Sequence, residues 1–423
     1  MQKKRPLTLY ILFAMLLGIA VGYACNTVFP DKKLTADISA HISLVTDIFL
    51  RLIKMIIALL VFSTLTTGIA NLSDGKAAGR IGAKAFAWFI VASLCSLALG
   101  MLLSNLMQLG THLGLPLPAI DASTGLKTSA FTLKDFVSHV VPKSPIEAMA
   151  NNEILQVLVF SIFFGSALGA LGESGKKLLD VIDQLAQVML RMTGAIMSLA
   201  PLAVFAAMAS VVTTNGLGIL ATFAKFMGGF YLGLFCLWVL LIGAGFAVLG
   251  PRVLRLVGLI REPFLLAFST ASSEAAYPKL LVALDKFGVQ RRISSFVLPM
   301  GYSFNLDGSM MYCTFAVLFI AQAYGIDLSL GTQITMLLLL MLTSKGMAGV
   351  PRASLVVIAA TLTQFHIPEA GLLLLMGVDQ FLDMGRSATN AVGNAVATAV
   401  VAKWEGALGE EAETDEHTYI RAA

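Results

Sequence analysis

The chain has 423 residues, of which 57% are hydrophobic and only 13% are charged, and its mean hydropathy is +0.83. Soluble domains carry about 25% charged residues, so this composition excludes most cytosolic enzymes, nucleic-acid-binding proteins and disordered chains. The net charge of +4 is too small to indicate a polyanionic partner such as nucleic acid. Long apolar runs without strand-like alternation predict an all-α integral membrane protein, because a helix satisfies its own backbone hydrogen bonds in hydrocarbon.

Six apolar windows are long enough to cross a lipid bilayer, which requires about 20 residues. They lie at residues 7–29, 45–71, 82–110, 153–171, 184–212 and 219–249. Lys and Arg cluster before the first window and after the second, fourth and sixth, whereas the alternate loops have almost none. The positive-inside rule therefore predicts a multi-pass protein of the inner (plasma) membrane with a cytoplasmic N-terminus and an external segment at 111–151.

Beyond residue 250, small and polar residues interrupt the apolar segments at membrane depth. These segments are 263–285, 291–325, 329–365 and 371–403. Basic residues bracket the first on both sides, which predicts a re-entrant hairpin from the cytoplasm, and the third has ends poor in Lys and Arg, which predicts a second hairpin from outside. The resulting inverted repeat predicts eight transmembrane helices plus two re-entrant helical hairpins and is typical of transporter binding sites. The polar tail at 404–423 is predicted to be cytoplasmic.

Five polar residues of the last segment are spaced four, three, four and four residues apart, which places them on one face of a single helix. They are Asp379, Asp383, Arg386, Asn390 and Asn394. An ionisable group at bilayer depth costs about 2.5–3.5 kcal/mol, so this stripe must face protein or a wet cavity. Arg386 offers two parallel donors to a carboxylate, and Asp383 can hold an ammonium group. The pair predicts an acidic amino acid as ligand, and a self-neutralising ion-pair network is the alternative.

The NLDGS sequence places Asn305 and Asp307 two residues apart and directly before Gly308, so the two polar side chains cannot share a helical face. We expect an unwound turn here. Its exposed carbonyl oxygens, with a carboxylate and an amide, suit a hard cation such as Na⁺. A glycine kink with a buried aspartate is the alternative.

Both hairpin tips, SSEAAYP and GMAGVPR, are rich in small residues, as expected where the N-termini of half-helices attract an anion. Ser272 and Ser273 are candidates to donate hydrogen bonds to a ligand, or only to cap helices. Burial at the first tip favours a protonated Glu274, which makes it a candidate proton carrier, and capping a half-helix is its alternative role. Arg352, at the second tip, is expected to be a gate or rim charge near the external surface.

A membrane-embedded serine hydrolase is a competing hypothesis, because Ser272 or Ser273 could act as a nucleophile. That chemistry needs a base within hydrogen-bond reach. All five histidines fall in predicted loops or in the tail, so only Lys345 is left as a base. We therefore expect a protein that is not an enzyme and needs no cofactor; a pure channel is a further alternative.

The two hairpin tips, NLDGS and DMGRSATN resemble the motifs of the dicarboxylate/amino acid:cation symporter family over essentially the whole chain. The pattern is closest to that of bacterial proton/sodium–glutamate (aspartate) symporters. The resemblance implies a homotrimer in which each protomer has its own pathway and works as an elevator. It also implies a scaffold (1–81 and 111–218), a mobile transport domain (82–110 and 219–403) and a cytoplasmic tail (404–423).

The resemblance also implies residue roles. Arg386 would bind the side-chain carboxylate of the substrate, Asp383 its α-amino group and Asn390 its α-carboxylate. The other substrate-binding residues would be Ser273, Ser309, Gly349 and Val350. The cation sites would be drawn from Gly301, Asn305, Asp307, Asn390, Asn394 and Ser93. Asp379 would be a structural acid.

Three positions depart from the sodium-coupled pattern of this family. Leu306 replaces a methionine, Asn394 replaces an aspartate, and Ala92 replaces a hydroxyl residue beside Ser93. Each change weakens a sodium site, which with Glu274 favours protons, alone or with sodium, as coupling ions.

Import of glutamate or aspartate is the primary hypothesis. Symport of C4-dicarboxylates (succinate, fumarate or malate) with a cation is the alternative, disfavoured because that branch typically lacks an acid at the position of Asp383.

Overall fold

The computed structural model describes residues 7–29, 31–70, 77–111, 117–118, 140–216, 223–343, 353–376 and 378–409. Within these ranges the regular structure is helical, and paired extended backbone is limited to one isolated bridge between Val289 and Leu408. The all-α prediction is therefore confirmed for the part of the chain that the structure describes.

Seventeen α-helices lie in the described ranges. They are α1 (Leu7–Val28), α2 (Lys32–Ala70), α3 (Ala77–Met107), α4 (Pro145–Ala150), α5 (Ile154–Ala170), α6 (Lys176–Met197), α7 (Ala200–Asn215), α8 (Ala224–Leu249), α9 (Arg252–Leu259), α10 (Arg261–Thr270), α11 (Ser273–Lys286), α12 (Arg291–Phe304), α13 (Asp307–Ala323), α14 (Leu330–Thr343), α15 (Ala353–Gln364), α16 (Leu372–Met376) and α17 (Asp379–Trp404). Short 3₁₀ helices at Gly172–Gly175 and Glu369–Gly371 precede α6 and α16.

Five helical segments of the described chain are long and apolar enough to cross a membrane: α1, α2, α3, α8 and the α12–α13 pair. The window at 153–171 corresponds to α5, which is apolar but has 17 residues. The window at 184–212 falls on two helices, α6 and α7, which meet at a bend of 52° and together are long and apolar enough for one broken span. Pro201 lies in the first turn of α7, where its missing N–H is not needed, and it prevents α6 from continuing.

The longest helix is α2, with 39 residues, and it begins at Lys32 rather than near residue 45. At 1.5 Å per residue it is about 58 Å long, almost twice the ~30 Å of a hydrocarbon core. It must therefore tilt or extend beyond the bilayer. His41, predicted in a loop, lies on its exposed N-terminal part.

The first hairpin consists of α10 and α11, which pack against each other over the predicted segment 263–285. Ala271 ends α10 with φ of 49°, and the Ser272 hydroxyl accepts a hydrogen bond from the backbone N–H of Ala275 at 3.3 Å. Ser272 thus has the capping role that was its alternative. The second hairpin consists of α14 and α15, which also pack together. Its tip, with Lys345, Gly349, Val350 and Arg352, lies outside the described residues.

The unwound turn is present as expected: α12 ends at Phe304, α13 begins at Asp307, and Asn305 and Leu306 are not helical. The last helix, α17, begins at Asp379 rather than at residue 371. Nearly all of its side chains are buried, because α8, α10, α11, α12 and α13 surround it.

The helix contacts divide into two groups, which share one hydrophobic core cluster. One group contains α1, α2 and α4–α7, and the other contains α3 and α8–α17. The groups meet where α1, α2, α5 and α7 contact α10, α11 and α12. The candidate site lies at this boundary.

A charge cluster fixes the C-terminal end of α17 to α3. The Glu405 carboxylate accepts a hydrogen bond from Arg80 at 3.0 Å and lies 2.6 Å from Nζ of Lys84. The adjacent Trp404 packs edge-on against Trp88, with ring centres 5.8 Å apart. The hydrogen bonds from Arg80 and Lys84 hold the pKa of Glu405 below its usual value.

Replacing Glu405 with glutamine is expected to lower the stability by at most about 1 kcal/mol, since Arg80 is solvent-exposed. The contribution of Glu405 to the free energy of unfolding is complete above its pKa in the unfolded state. It is lost as the pH falls through the lower pKa of Glu405 in the folded state. Thermal melts of the two proteins should therefore converge at acidic pH. Glu173, whose side chain is 92% exposed, gives the matched control Glu173→Gln. A pH-independent difference between wild type and Glu405→Gln would contradict the prediction.

Candidate functional site

A cavity of about 530 Å³ lies at the boundary between the two helix groups, a volume typical of small-molecule sites. The residues predicted from the sequence that line it are Ser272, Ser273, Glu274, Ser309, Asp383, Arg386 and Asn390. They come from α11 and its N-cap, α13 and α17. The opposite wall is formed by α2 and α7, from which Asp47 and Lys54 contribute charges.

Arg386 and Asp383 form an ion pair within α17. Nε of Arg386 donates to Oδ1 of Asp383 at 2.6 Å, and the Ser387 hydroxyl donates to the same oxygen at 2.9 Å. The guanidinium carbon lies 5.3 Å from the centre of the Tyr312 ring, in cation–π geometry. Neither terminal nitrogen of Arg386 has a hydrogen-bond partner among the described residues. These two nitrogens form the edge that binds a carboxylate in bidentate fashion.

Asp379 lies outside the cavity lining and holds α17 to α13. The Tyr312 hydroxyl donates to Oδ1 of Asp379 at 2.8 Å, and both side chains are buried. This contact fits the structural role that the resemblance implies for Asp379, and it also positions the ring on which Arg386 rests.

Asn390 joins the cavity to the unwound turn. Its Oδ1 accepts hydrogen bonds from the backbone N–H groups of Gly308 at 2.9 Å and Ser309 at 3.3 Å. Its Nδ2 donates to Oγ of Ser309 at 3.1 Å. Asn390 therefore caps the N-terminus of α13 from the neighbouring helix, and both ends of its amide are bonded within the protein.

The cation candidates of α12, α13 and α17 meet beside the unwound turn. Nδ2 of Asn305 donates to Oδ1 of Asn394 at 3.1 Å, and the backbone of Gly301 lies against the same Asn394 amide. The Asp307 carboxylate packs against Gly393, where a Cβ would overlap it. All these side chains are buried. Oδ1 of Asn305 has no hydrogen-bond partner among the described residues, which leaves one amide oxygen for a ligand.

The donor set fits a hard monovalent cation. It offers one carboxylate, amide oxygens and the carbonyls of a non-helical turn. Across the described ranges, no group of three or more His, Cys, Asp or Glu side chains is placed to hold a metal ion. Ser93 is buried on α3, one turn before Ser96, whose hydroxyl donates to Oδ1 of Asp307 at 3.4 Å. Sequence analysis missed Ser96, although its spacing from Ser93 places it on the same helical face.

Sequence analysis also missed Lys54. This lysine interrupts the apolar run of α2 (RLIKMIIALL), which was the available signal. It lines the cavity opposite α17 and acts electrostatically on Glu274 in the first turn of α11. Glu274 is half-buried and exposed to the cavity, as a proton carrier requires, while the capping of α11 is done by Ser272.

Comparisons with known proteins indicate the family to which the chain is similar. Residues 7–404 match the model of the sodium:dicarboxylate symporter family. The chain is 41% identical to a C4-dicarboxylate transport protein of Rhodospirillum rubrum over 408 residues, covering 95% of this chain and 89% of that protein. It is 40% identical over 405 residues to C4-dicarboxylate transport protein 1 of Mesorhizobium japonicum, covering 95% and 83%. A C4-dicarboxylate transport protein of Laribacter hongkongensis is 38% identical over 415 residues, covering 97% and 93%.

The names of these relatives differ from the amino-acid substrate that the sequence analysis favoured and agree with its alternative. The expectations of a transporter rather than an enzyme, and of a coupling cation, are confirmed by the family match. The chain belongs to the sodium:dicarboxylate symporter family and is a multi-pass membrane protein that transports its substrate together with a cation.

Proposed function

We propose that this transporter imports C4-dicarboxylates such as succinate, fumarate or malate together with cations. The observation that carries the proposal is the ion pair of Asp383 with Arg386. Because Asp383 is neutralised by Arg386 and also accepts from Ser387, it does not present a free charge that would repel a dianion. Arg386 keeps its two terminal donors for one carboxylate of the substrate. The names of the relatives support the same substrate class.

Acidic amino acids are the second candidate, and Asp383 favours them. Its Oδ2 has no hydrogen bond among the described residues, and the side chain lines the cavity. An ammonium group could bind this oxygen without breaking the contact with Arg386. The two candidates therefore differ in one interaction, which can be measured.

Replacing Asp383 with asparagine is expected to leave succinate uptake within about threefold of wild type. The amide oxygen still accepts from Arg386, whereas the charge that would hold an ammonium is lost. Any aspartate uptake should fall by about tenfold or more, since a hydrogen bond to a charged group is worth about 1.5–3 kcal/mol. The measurement is uptake of labelled succinate and aspartate into proteoliposomes, with unlabelled succinate, malate, aspartate and glutamate as competitors.

Asp180, an exposed residue of α6, provides the matched control Asp180→Asn. In the wild type, the C4-dicarboxylates should compete more strongly than either amino acid. Stronger competition by aspartate or glutamate would contradict the dicarboxylate proposal and support the second candidate.

We infer that protons, alone or with sodium, are the coupling ions. The cluster at the unwound turn contains a single carboxylate, Asp307, because position 394 is an asparagine. Glu274 adds a titratable group to the substrate cavity. Imposing sodium and proton gradients separately on the same proteoliposomes identifies the ion that drives uptake.

The proposed scaffold comprises residues 1–81 and 111–218, the transport domain comprises 82–110 and 219–403, and 404–423 form the tail. The division of the helix contacts into two groups, with the cavity at their boundary, supports this assignment. The proposal also includes an elevator movement, a homotrimer, cytoplasmic termini and location in the inner (plasma) membrane. The family resemblance and the distribution of basic residues support these parts.

A further inference from the structure

Lys54 places a positive charge in the apolar part of α2. The neighbouring side chains of Ile53, Ile56 and Ile57 are buried. An ionisable group at membrane depth is costly and is tolerated where it lines a wet cavity or faces an opposite charge. Lys54 is half-buried and lines the cavity on the wall opposite α17. Lys54 is therefore placed to bind an anion in the cavity.

Glu274 is an acidic residue of the other helix group that lines the same cavity as Lys54. The two side chains approach the cavity from different helix groups, α2 and α11, and interact electrostatically. Among the described residues, neither forms a salt bridge within the 4.0 Å that defines direct contact. Both side chains line the same cavity, whose volume of about 530 Å³ is large enough for a small anion.

The other charged and titratable groups around Glu274 do not replace Lys54. Asp383 and Arg386 of α17 neutralise each other. Asp47 lies two turns before Lys54 on α2, and Tyr302 of α12 and Tyr277 of α11 are buried phenols. Of the described residues that line the cavity, Lys54 is the cation without a hydrogen-bonded carboxylate.

We propose that Lys54 is a second anion-binding group of the cavity, which holds a carboxylate of the substrate when Glu274 is protonated. An ionised Glu274 competes with the substrate for Lys54, and a protonated Glu274 does not. Binding of a proton and binding of a dianion therefore strengthen each other, as thermodynamic linkage requires. This inference rests on the proposed function and deepens it by linking substrate binding to proton binding.

Lys54 can bind a substrate carboxylate in the conformation described here, in which it lines the cavity. It belongs to α2, in the helix group that we assign to the scaffold, whereas Arg386 and Glu274 belong to the group that we assign to the transport domain. A movement of one group past the other separates Lys54 from the substrate. Lys54 therefore contacts the substrate only while the two groups lie as they do here, and Arg386 holds the substrate during transport.

The test is equilibrium binding of labelled succinate to the purified full-length protein from mildly acidic to mildly alkaline pH. Wild-type affinity should fall as the pH rises and Glu274 ionises. Lys54→Gln should bind about tenfold more weakly at acidic pH, the loss expected for one charged hydrogen bond, and should lose this pH dependence. Glu274→Gln should bind succinate with high affinity across this pH range. Any pH dependence of binding that remains in this variant reports the titration of succinate itself.

Two further variants separate a specific role from a structural one. Lys54→Arg should restore both affinity and pH dependence. Arg51→Gln, an exposed position one turn away on α2 and outside the cavity lining, should match the wild type. If Lys54→Gln does not fold, Glu274→Gln and Lys54→Arg still carry the test through their pH profiles.

Wild-type affinity and pH dependence in Lys54→Gln would overturn the inference, and so would an unchanged pH dependence in Glu274→Gln. A wild-type protein that binds aspartate but not succinate would instead overturn the proposed function. The same variants can then be measured with labelled aspartate, which also has two carboxylates, so the role of Lys54 is tested in either case.

Discussion

Replacing Arg386 with lysine is expected to weaken succinate binding about 100-fold or more and to abolish measurable uptake. Arg386 donates through Nε to Asp383 and presents its terminal nitrogens to the cavity. Lysine keeps the charge but cannot form both contacts at once. Loss of a bidentate contact, at about 1.5–3 kcal/mol for each charged hydrogen bond, corresponds to at least this change in affinity.

Labelled succinate binding and uptake measure this effect. Arg261→Lys is the matched control, because Arg261 is exposed at the start of α10, where its guanidinium donates to the carbonyl of Gly258. Arg386→Ala should also lower the thermal stability, since it leaves Asp383 without its partner. Near wild-type succinate affinity in Arg386→Lys would show that the substrate carboxylate binds elsewhere.

Replacing Gly308 with alanine is expected to lower both the stability and the substrate affinity, the latter by about tenfold or more. A Cβ on Gly308 would overlap the carbonyl oxygen of Arg386 and lie 2.8 Å from the Cα of Arg386. These are backbone atoms, which cannot rotate away as a side chain can. The two helices α13 and α17 must then separate, and such overpacking typically costs about 1–3 kcal/mol. The hydrogen bonds from Gly308 and Ser309 to Asn390 would be strained at the same time.

Thermal melts and succinate binding check this prediction together. The control is Gly228→Ala on the exposed side of α8, where no atom lies within 4 Å of the added methyl group. That change should be neutral or slightly stabilising, since alanine favours the helix. Equal effects of the two substitutions on stability and affinity would contradict the prediction that α13 and α17 must separate.

Local patterns predicted the main features of the site. The spacing of the polar stripe placed Asp383, Arg386 and Asn390 on one helix, because helical periodicity depends only on neighbouring residues. The unwound turn followed from Asn305 and Asp307 next to a glycine. The sequence did not determine whether Asp383 would bind a ligand or Arg386. The spacing of three residues permits the ion pair, but the packing around both side chains selects it.

Contacts between distant segments were not predictable. Ser96 and Asp307 are 211 residues apart, and Arg80 and Glu405 are 325 residues apart. Lys54 was visible as a charge in an apolar run, but its relation to Glu274 depends on how the two helix groups meet. The bend between α6 and α7 was indicated by Pro201, although the continuous hydrophobicity of the window masked it.

Because Asp383 and Arg386 belong to one helix, their charges move together wherever α17 moves. Carrying one elementary charge through a membrane potential costs about 2.3 kcal/mol per 100 mV. Opposite charges held 2.6 Å apart cancel that cost. In the proposed cycle, the unloaded protein therefore returns without net work against the electric field from this pair. Voltage acts instead on the other charged side chains of the moving domain, on the succinate dianion and on the ions that accompany it.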